Sequence, residues 1–253
     1  MTFRLLETGG SPGAFNMGLD EAVLAAVAEG RQAPTLRFYG WNPPTVTLGY
    51  FQGLEEEVDR EACARMGVDI VRRVTGGGAV FHDAELTYSI ILPESHPLAR
   101  PGILDSYRIL CAGVVEGLAR FGLAAEFAPI NDVLVDGRKV SGNAQTRKRG
   151  CILQHGTVLL DVDVDRMFAL LKVPSEKMKG KLIEDVKQRV TSLRHKLGRS
   201  VDLSEAVPEF AAGFSKALGV ELAKSDPSPE ELEEGRRIAR EKYGTEAWTA
   251  KRR

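Results

Sequence analysis

Cysteine is scarce: three residues, Cys63, Cys111 and Cys151, are scattered through 253. That is too few and too dispersed for a disulfide framework or a zinc site, and it suits a reducing compartment. Neither sign of charge prevails, because 34 Lys plus Arg stand against 35 Asp plus Glu for a formal net charge of −1. No global basic field draws the chain to nucleic acid, so electrostatic recognition must come from local patches. Apolar runs long enough to cross a bilayer are missing, and Met1-Thr-Phe-Arg-Leu-Leu-Glu7 lacks a secretory apolar region. A cytoplasmic protein with no membrane association is expected. Internal repeats and low-complexity linkers are also missing, so the expectation is a single domain over 1–253 with a helical part from about 162 onward. What is present is apolar content of 43%, enough to supply a sizeable core.

Against that background the string Arg72-Arg-Val-Thr-Gly-Gly-Gly-Ala-Val-Phe-His-Asp83 stands out. It lies between the β-like run Val68–Val71 and the apolar run Leu86–Leu92, and so reads as a loop between two strands. Three consecutive glycines are costly to order, and Gly76, Gly77 and Gly78 are best explained by unusual dihedrals or close approach of bare amides to a ligand. Arg72 and Arg73 before them and His82 after them add charge, which suits an anion such as phosphate or adenylate. A glycine-rich hairpin tip with solvated arginines is the plain alternative.

Elsewhere, Ala14–Ala28 predicts a helix, and Leu36–Tyr39 with Thr45–Tyr50 predicts a hairpin across Gly-Trp-Asn-Pro-Pro. One amphipathic helix is expected over Glu55–Met66, another over Asp105–Phe121, a short one over Val164–Leu171 and a turn or helix over Pro174–Lys181. Further helices are expected over Asp202–Leu218 and Ser228–Lys242, where Ser228-Pro-Glu-Glu carries a capping serine, a first-turn proline and acids that suit the helix dipole. Asp136-Gly137 supplies the positive dihedrals of a two-residue hairpin between Val133–Val135 and the run from Arg138 to Gln145. Alternation then puts Lys139, Ser141 and Asn143 on one face and Val140, Gly142 and Ala144 on the other. Such a polar face describes a binding-site floor and a solvated sheet face equally well. His155 in the following strand reads as a core histidine with internal hydrogen bonds.

The chain resembles the catalytic domain of lipoate–protein ligases, within the superfamily of biotin and lipoate ligases and lipoyl or octanoyl transferases. The resemblance rests on the glycine loop together with Leu36-Arg-Phe-Tyr-Gly-Trp41, Leu48-Gly-Tyr-Phe-Gln52, Asn131-Asp132, Arg138-Lys-Val-Ser-Gly-Asn-Ala-Gln145 and Gln154-His-Gly-Thr157 in that order. It implies an α/β fold of the α+β type, with mixed and antiparallel sheets flanked by helices as in class II synthetases. It also implies ATP-dependent activation of lipoic or octanoic acid to acyl-AMP, followed by transfer to a lysine of a lipoyl carrier domain of the glycine-cleavage H protein or 2-oxoacid dehydrogenase E2 type. Lys139 is the implied catalytic residue. Arg72, Arg73, Gly76, Gly77, Gly78, Ala79, His82, Asn131, Asp132, Ser141, Gly142, His155, Gly156 and Thr157 are the implied substrate and nucleotide residues, with Mg2+ at Asp132. The chain stops without a C-terminal accessory domain, so a separately encoded accessory subunit is a further expectation. Two alternatives stay open: an octanoyl or lipoyl transferase that parks the acyl group as a thioester on Cys151, and a non-catalytic module that binds acyl-adenylate or carrier.

Overall fold

Alternation along Glu85–Pro93 divides the molecule. Leu86, Tyr88, Ile90 and Leu92 enter one apolar core, while Ile91 enters another on the opposite face, as the two-residue period of a strand requires. The structure is a computed structural model that describes residues 1–100, 102–173 and 176–252, the side chains of 176–179 excepted. In chain order the elements are β1 (Thr2–Ser11), α1 (Gly13–Ala28), β2 (Thr35–Trp41), β3 (Thr45–Leu48), α2 (Leu54–Glu57), α3 (Arg60–Arg65), β4 (Asp69–Arg72), β5 (Val80–His82) and β6 (Glu85–Pro93). There follow α4 (Ile103–Arg120), β7 (Ala125–Ala128), β8 (Asp132–Val135), β9 (Arg138–Lys148), β10 (Cys151–Leu159), α5 (Val164–Leu170), α6 (Glu176–Arg189), α7 (Leu193–Leu197), α8 (Leu203–Leu218), β11 (Glu221–Lys224), α9 (Pro229–Ile238), a π-helical turn over Ala239–Tyr243, and α10 (Glu246–Thr249).

Eight strands form one sheet in the order β11-β1-β2-β6-β10-β9-β8-β7, and β4-β3-β5 form a second. In the large sheet β11, β1 and β2 run parallel and the remaining neighbours antiparallel, so the expected α+β class holds. Helices α4 and α8 cover one face. Their backbones approach so closely that a Cβ at Gly213 would overlap the amide of Gly117. Helix α1 covers part of the other face and is itself backed by α9, where a Cβ at Gly18 would overlap the carbonyl of Gly235. Among the described residues, no helix is long and apolar enough to cross a membrane.

Three local expectations are corrected. Strands β2 and β3 do not form a hairpin: β2 lies between β1 and β6, and β3 lies between β4 and β5. Every residue of both strands is buried, and a run buried on two sides carries no alternation to say which sheet it joins. The single helix over Glu55–Met66 is broken. Val58 is fully buried and bridges Leu171, and the Asp59 carboxylate accepts the Ala62 amide at 2.8 Å, capping a fresh helix. The C-terminal part is not purely helical, because β11 returns to the large sheet beside β1. Of the segment Pro174–Lys181, the first two residues lie outside the described ones and α6 starts at Glu176.

Candidate active site

Beyond α1 the second face of the large sheet is open, and small side chains pave it. Thr157 of β10 pairs with Thr87 of β6 on one side and Gly142 of β9 on the other. Next to this row β9 carries a bulge: Val133 pairs with Ser141, yet its neighbour Leu134 pairs with Lys139, leaving Val140 as an extra residue. An extra residue reverses the pleat and re-aims the side chains beyond it. Val140 is buried in the α4/α8 core, and Ser141 is fully buried between Val133 and Val158 of that core. Lys139 instead lies across Gly142, where a Cβ would sit 2.9 Å from Nζ. The expected floor of Lys139, Ser141 and Asn143 is therefore corrected to Lys139 with Gly142. Asn143 faces inward, accepts the Tyr88 hydroxyl at 2.6 Å and donates to the Asn131 carbonyl at 2.8 Å. The Lys139 side chain is 41% exposed and ion-pairs with Asp132 at 2.7 Å, by distance rather than as an aligned hydrogen bond.

The glycine loop lines the same cavity as this floor and is held from inside. The Arg73 guanidinium donates to the carbonyls of Thr47, Gly76 and Gly78 at 3.0, 2.9 and 3.0 Å, and burial pushes its pKa down to about 10. Gly77 adopts φ +94°, and a Cβ at Gly49 would overlap the Gly77 carbonyl. Among the described residues, the amides of Gly77 and Gly78 donate to no protein acceptor, so they are free for a ligand. Replacing Gly49 by alanine should displace the loop, lowering stability by about 1–3 kcal/mol and raising KM for whatever substrate the loop amides hold. Thermal unfolding and initial rates check both. Arg72 does not reach the site. Its nitrogens donate to the carbonyls of Gly49 (2.9 Å), Gln52 (2.6 Å) and Thr249 (2.7 Å), tying the C-terminal segment to the base of the loop.

The two histidines are anchored, not free. Arg73 donates to Thr47 Oγ1 at 2.5 Å, and the same hydroxyl lies 2.7 Å from His82 Nε2. His82 Nδ1 lies 2.7 Å from Glu85 Oε1, and since a carboxylate oxygen only accepts, Nδ1 is the donor of that bond. The same carboxylate oxygen accepts from Trp41 Nε1 (3.0 Å) and the Thr87 hydroxyl (2.6 Å), and the indole stacks on His82 at 4.1 Å. His155 Nε2 bonds the Thr75 hydroxyl at 2.7 Å, and its Nδ1 lies 3.7 Å from Asp20. Burial outweighs the pull of Asp20 and holds this imidazole below the usual histidine range. Burial alone would raise the Asp20 carboxyl, but the charge of Arg37 and the nearby His155 keep it lower than usual. The reading of His155 as an internally bonded core histidine agrees with this geometry.

Floor, loop and histidines enclose a cavity of about 550 Å³. Of the expected site residues, Arg73, Gly77, Gly78, Ala79, His82, Asn131, Lys139, Gly142, His155, Gly156 and Thr157 line it, whereas Arg72, Gly76, Asp132 and Ser141 do not. Sequence reasoning did not assign Asp20, Arg37, Trp41 or Glu85 to the site. An acid inside the apolar stretch Met17–Val27 and an arginine inside Leu36–Trp41 were signals that could have found two of them. Cys151 opens β10, four residues and so about 13 Å along the strand from His155. It is 1% exposed in the core beneath α1, and burial pushes its thiol up, which speaks against the open alternative of a thioester on it.

The model of the lipoyl protein ligase A/B catalytic domain matches residues 12–215. Octanoyltransferase LipM of Geobacillus kaustophilus is 41% identical over 273 aligned positions, taking in 99% of this chain and 98% of that protein. The protein of the same name from Anoxybacillus flavithermus is 40% identical with the same coverage. Among solved structures, a chain from an archaeal bi-partite lipoate protein ligase and its E2 lipoyl domain, from Thermoplasma acidophilum, superposes with a TM-score of 0.89 at 32% identity, covering 99% of this chain and 96% of that one. These findings correct the expectation of an ATP-dependent lipoate–protein ligase: the relatives more similar in sequence are named for moving an octanoyl group. ATP, Mg2+ and lipoic acid fall with that activity.

Proposed function

The chain belongs to the lipoyl protein ligase A/B catalytic-domain family, and from that premise we propose that it transfers an octanoyl group from an activated thioester donor to a lysine amine of a lipoyl carrier domain, of the H-protein or E2 type, in the cytoplasm. The observation that supports this reading is that Lys139 lines the same cavity as Gly77 and Gly78, whose amides donate to no protein acceptor among the described residues. Acyl transfer builds negative charge on the carbonyl oxygen, and donors fixed beforehand in a water-poor site stabilise it without reorganising. The rest of the wall suits an alkyl chain. Met17, Trp41, Leu159, Met167, Val186 and Val190 line the same cavity, and each methylene buried against them contributes about 0.8 kcal/mol.

The test supplies the purified chain with an octanoyl thioester of an acyl carrier protein and a lipoyl domain, without ATP, and follows octanoyl-lysine by mass spectrometry. Modification of the domain lysine is the expected result. Modification that appears only with free octanoate and ATP would overturn the reading. Turnover by the chain alone would also make the accessory subunit expected from the sequence dispensable.

A further inference from the structure

Resting on that transferase reading, we propose that Tyr39 and Met17 close the far end of the acyl cavity and set its length at eight carbons, so that both are specificity-determining residues for the acyl donor. The register of the large sheet lays out the distance. Gly142 of β9 pairs with Thr157 of β10, Thr157 with Thr87 of β6, and Thr87 with Tyr39 of β2. All four line the cavity, so one row of residues crosses its floor. Three strand spacings make that row about 14 Å long.

One end of the row is fixed by the chemistry. Lys139 Nζ lies over Gly142, so the carbonyl oxygen that it stabilises, and with it the first carbon of the acyl group, belongs at that end. From there the floor is low, because a glycine and two threonines come before the larger side chain of Tyr39. The octanoyl chain has seven C–C bonds of about 1.5 Å, and their tetrahedral zigzag advances about 9 Å. Its methyl then needs about 4 Å of van der Waals separation from the wall. Eight carbons therefore reach Tyr39, and ten overrun it by about 2.5 Å.

A wall measures length only if it does not yield, and this one is braced. Tyr39 is 1% exposed, its hydroxyl donates to Asp20 at 3.1 Å, and the Arg37 guanidinium lies 4.0 Å from its ring. Met17 is 3% exposed and reaches the cavity from α1. Two residues beside it on that helix pin it over β2: the Asn16 amide donates to the Gly40 carbonyl at 2.9 Å, and Asp20 accepts the Tyr39 hydroxyl. Behind Met17, α1 rests on α9 with no room for a Cβ between Gly18 and the Gly235 carbonyl, which blocks its retreat. A surplus methylene thus meets overpacking instead of a wall that relaxes around it.

Initial rates with acyl carrier protein thioesters from hexanoyl to dodecanoyl test the proposal, each enzyme being judged by the ratios of its own kcat/KM values. The parent should prefer octanoyl over decanoyl by at least about tenfold, a discrimination within reach of single methylenes. Met17→Ala should move the optimum to decanoyl, and Met17→Phe should move it towards hexanoyl. Leu24→Ala truncates a buried residue of the same helix that does not line the cavity, and it should keep the parent's profile, which separates loss of the wall from loosening of α1. If Met17→Ala fails to fold, the parent and Met17→Phe profiles decide alone. A parent that accepts octanoyl to dodecanoyl alike, Met17 variants with the parent's profile, or a Leu24→Ala profile shifted as far as that of Met17→Ala would overturn the length limit while leaving the transferase reading intact. Transfer that needs ATP and free octanoate, with none from the thioester, would overturn the transferase reading, and the same length series run with free acids would then judge the wall by the same ratios.

Discussion

Replacing Lys139 by methionine is expected to lower kcat/KM for octanoyl transfer by about 10²–10³, or about 3–4 kcal/mol, with the melting temperature close to that of the parent. The two readouts separate because of where the side chain sits. Lys139 is 41% exposed and Asp132 32% exposed, so the ion pair contributes little to stability and its loss leaves no buried charge behind. The ammonium is nonetheless held in place. The β9 bulge turns it onto the cavity face, Asp132 fixes its end, and the bare Cα of Gly142 gives it room. Arginine at the same position should restore only part of the rate, because a planar fork cannot lie in the space that a point charge occupies over Gly142. Gly142→Ala should mimic the loss with the lysine still present, since its Cβ would sit 2.9 Å from Nζ. A Lys139→Met enzyme with kcat/KM within about twofold of the parent would remove Lys139 from the chemistry.

How much of this was legible in the sequence depends on whether the signal was local. The Asp136-Gly137 turn was readable, since both residues take positive φ, 50° and 71°. So was the capping box of α9, where the Ser228 hydroxyl accepts the Glu231 amide and the Glu231 carboxylate accepts the Ser228 amide. The glycine loop was readable as an amide-rich wall for the same reason. The bulge at Val140 was not: a one-residue insertion is defined only against the partner strand, and it moved Ser141 and Asn143 to the core face while keeping Lys139 in the site. Arg72 and Arg73 are neighbours of one type, yet one clamps Thr249 across 177 positions and the other braces the loop. Nothing within several residues of them distinguishes the two. The reaction class was the least legible. A cavity with a lysine and free amides stabilises a carbonyl oxyanion whatever the leaving group is, so those residues fit an adenylate and a thioester alike.

Asp20→Ala is expected to lower stability by about 3–5 kcal/mol, a fall in melting temperature on the order of 10 °C for a chain of this size. The reason is that one buried carboxylate serves four partners. Arg37 and Ser89 donate to one oxygen at 2.7 and 2.8 Å, the Tyr39 hydroxyl donates to the other at 3.1 Å, and His155 lies 3.7 Å away. Removing it strands the Arg37 guanidinium, 0% exposed, between α1 and the sheet. The double variant Asp20→Leu/Arg37→Met should recover much of the loss, because the penalty belongs to the unpaired charge and not to the missing pair. Acid unfolding adds a second readout with a fixed sign. The folded pKa of Asp20 lies below the ordinary 3.8, so its stabilisation is complete above that value and disappears as pH falls through the folded pKa. His155 is likewise held below 6.5, so it favours the fold while neutral and its contribution starts to fade as pH drops below 6.5. Below pH 3.8 the parent should therefore lose more stability on acidification than Asp20→Ala does. Because His155 holds Thr75 at the root of the glycine loop, the same variant should also raise KM for the acyl donor at temperatures where it remains folded. A variant that melts within about 2 °C of the parent would show that the Arg37 charge finds another partner and that the loop is not anchored through Asp20.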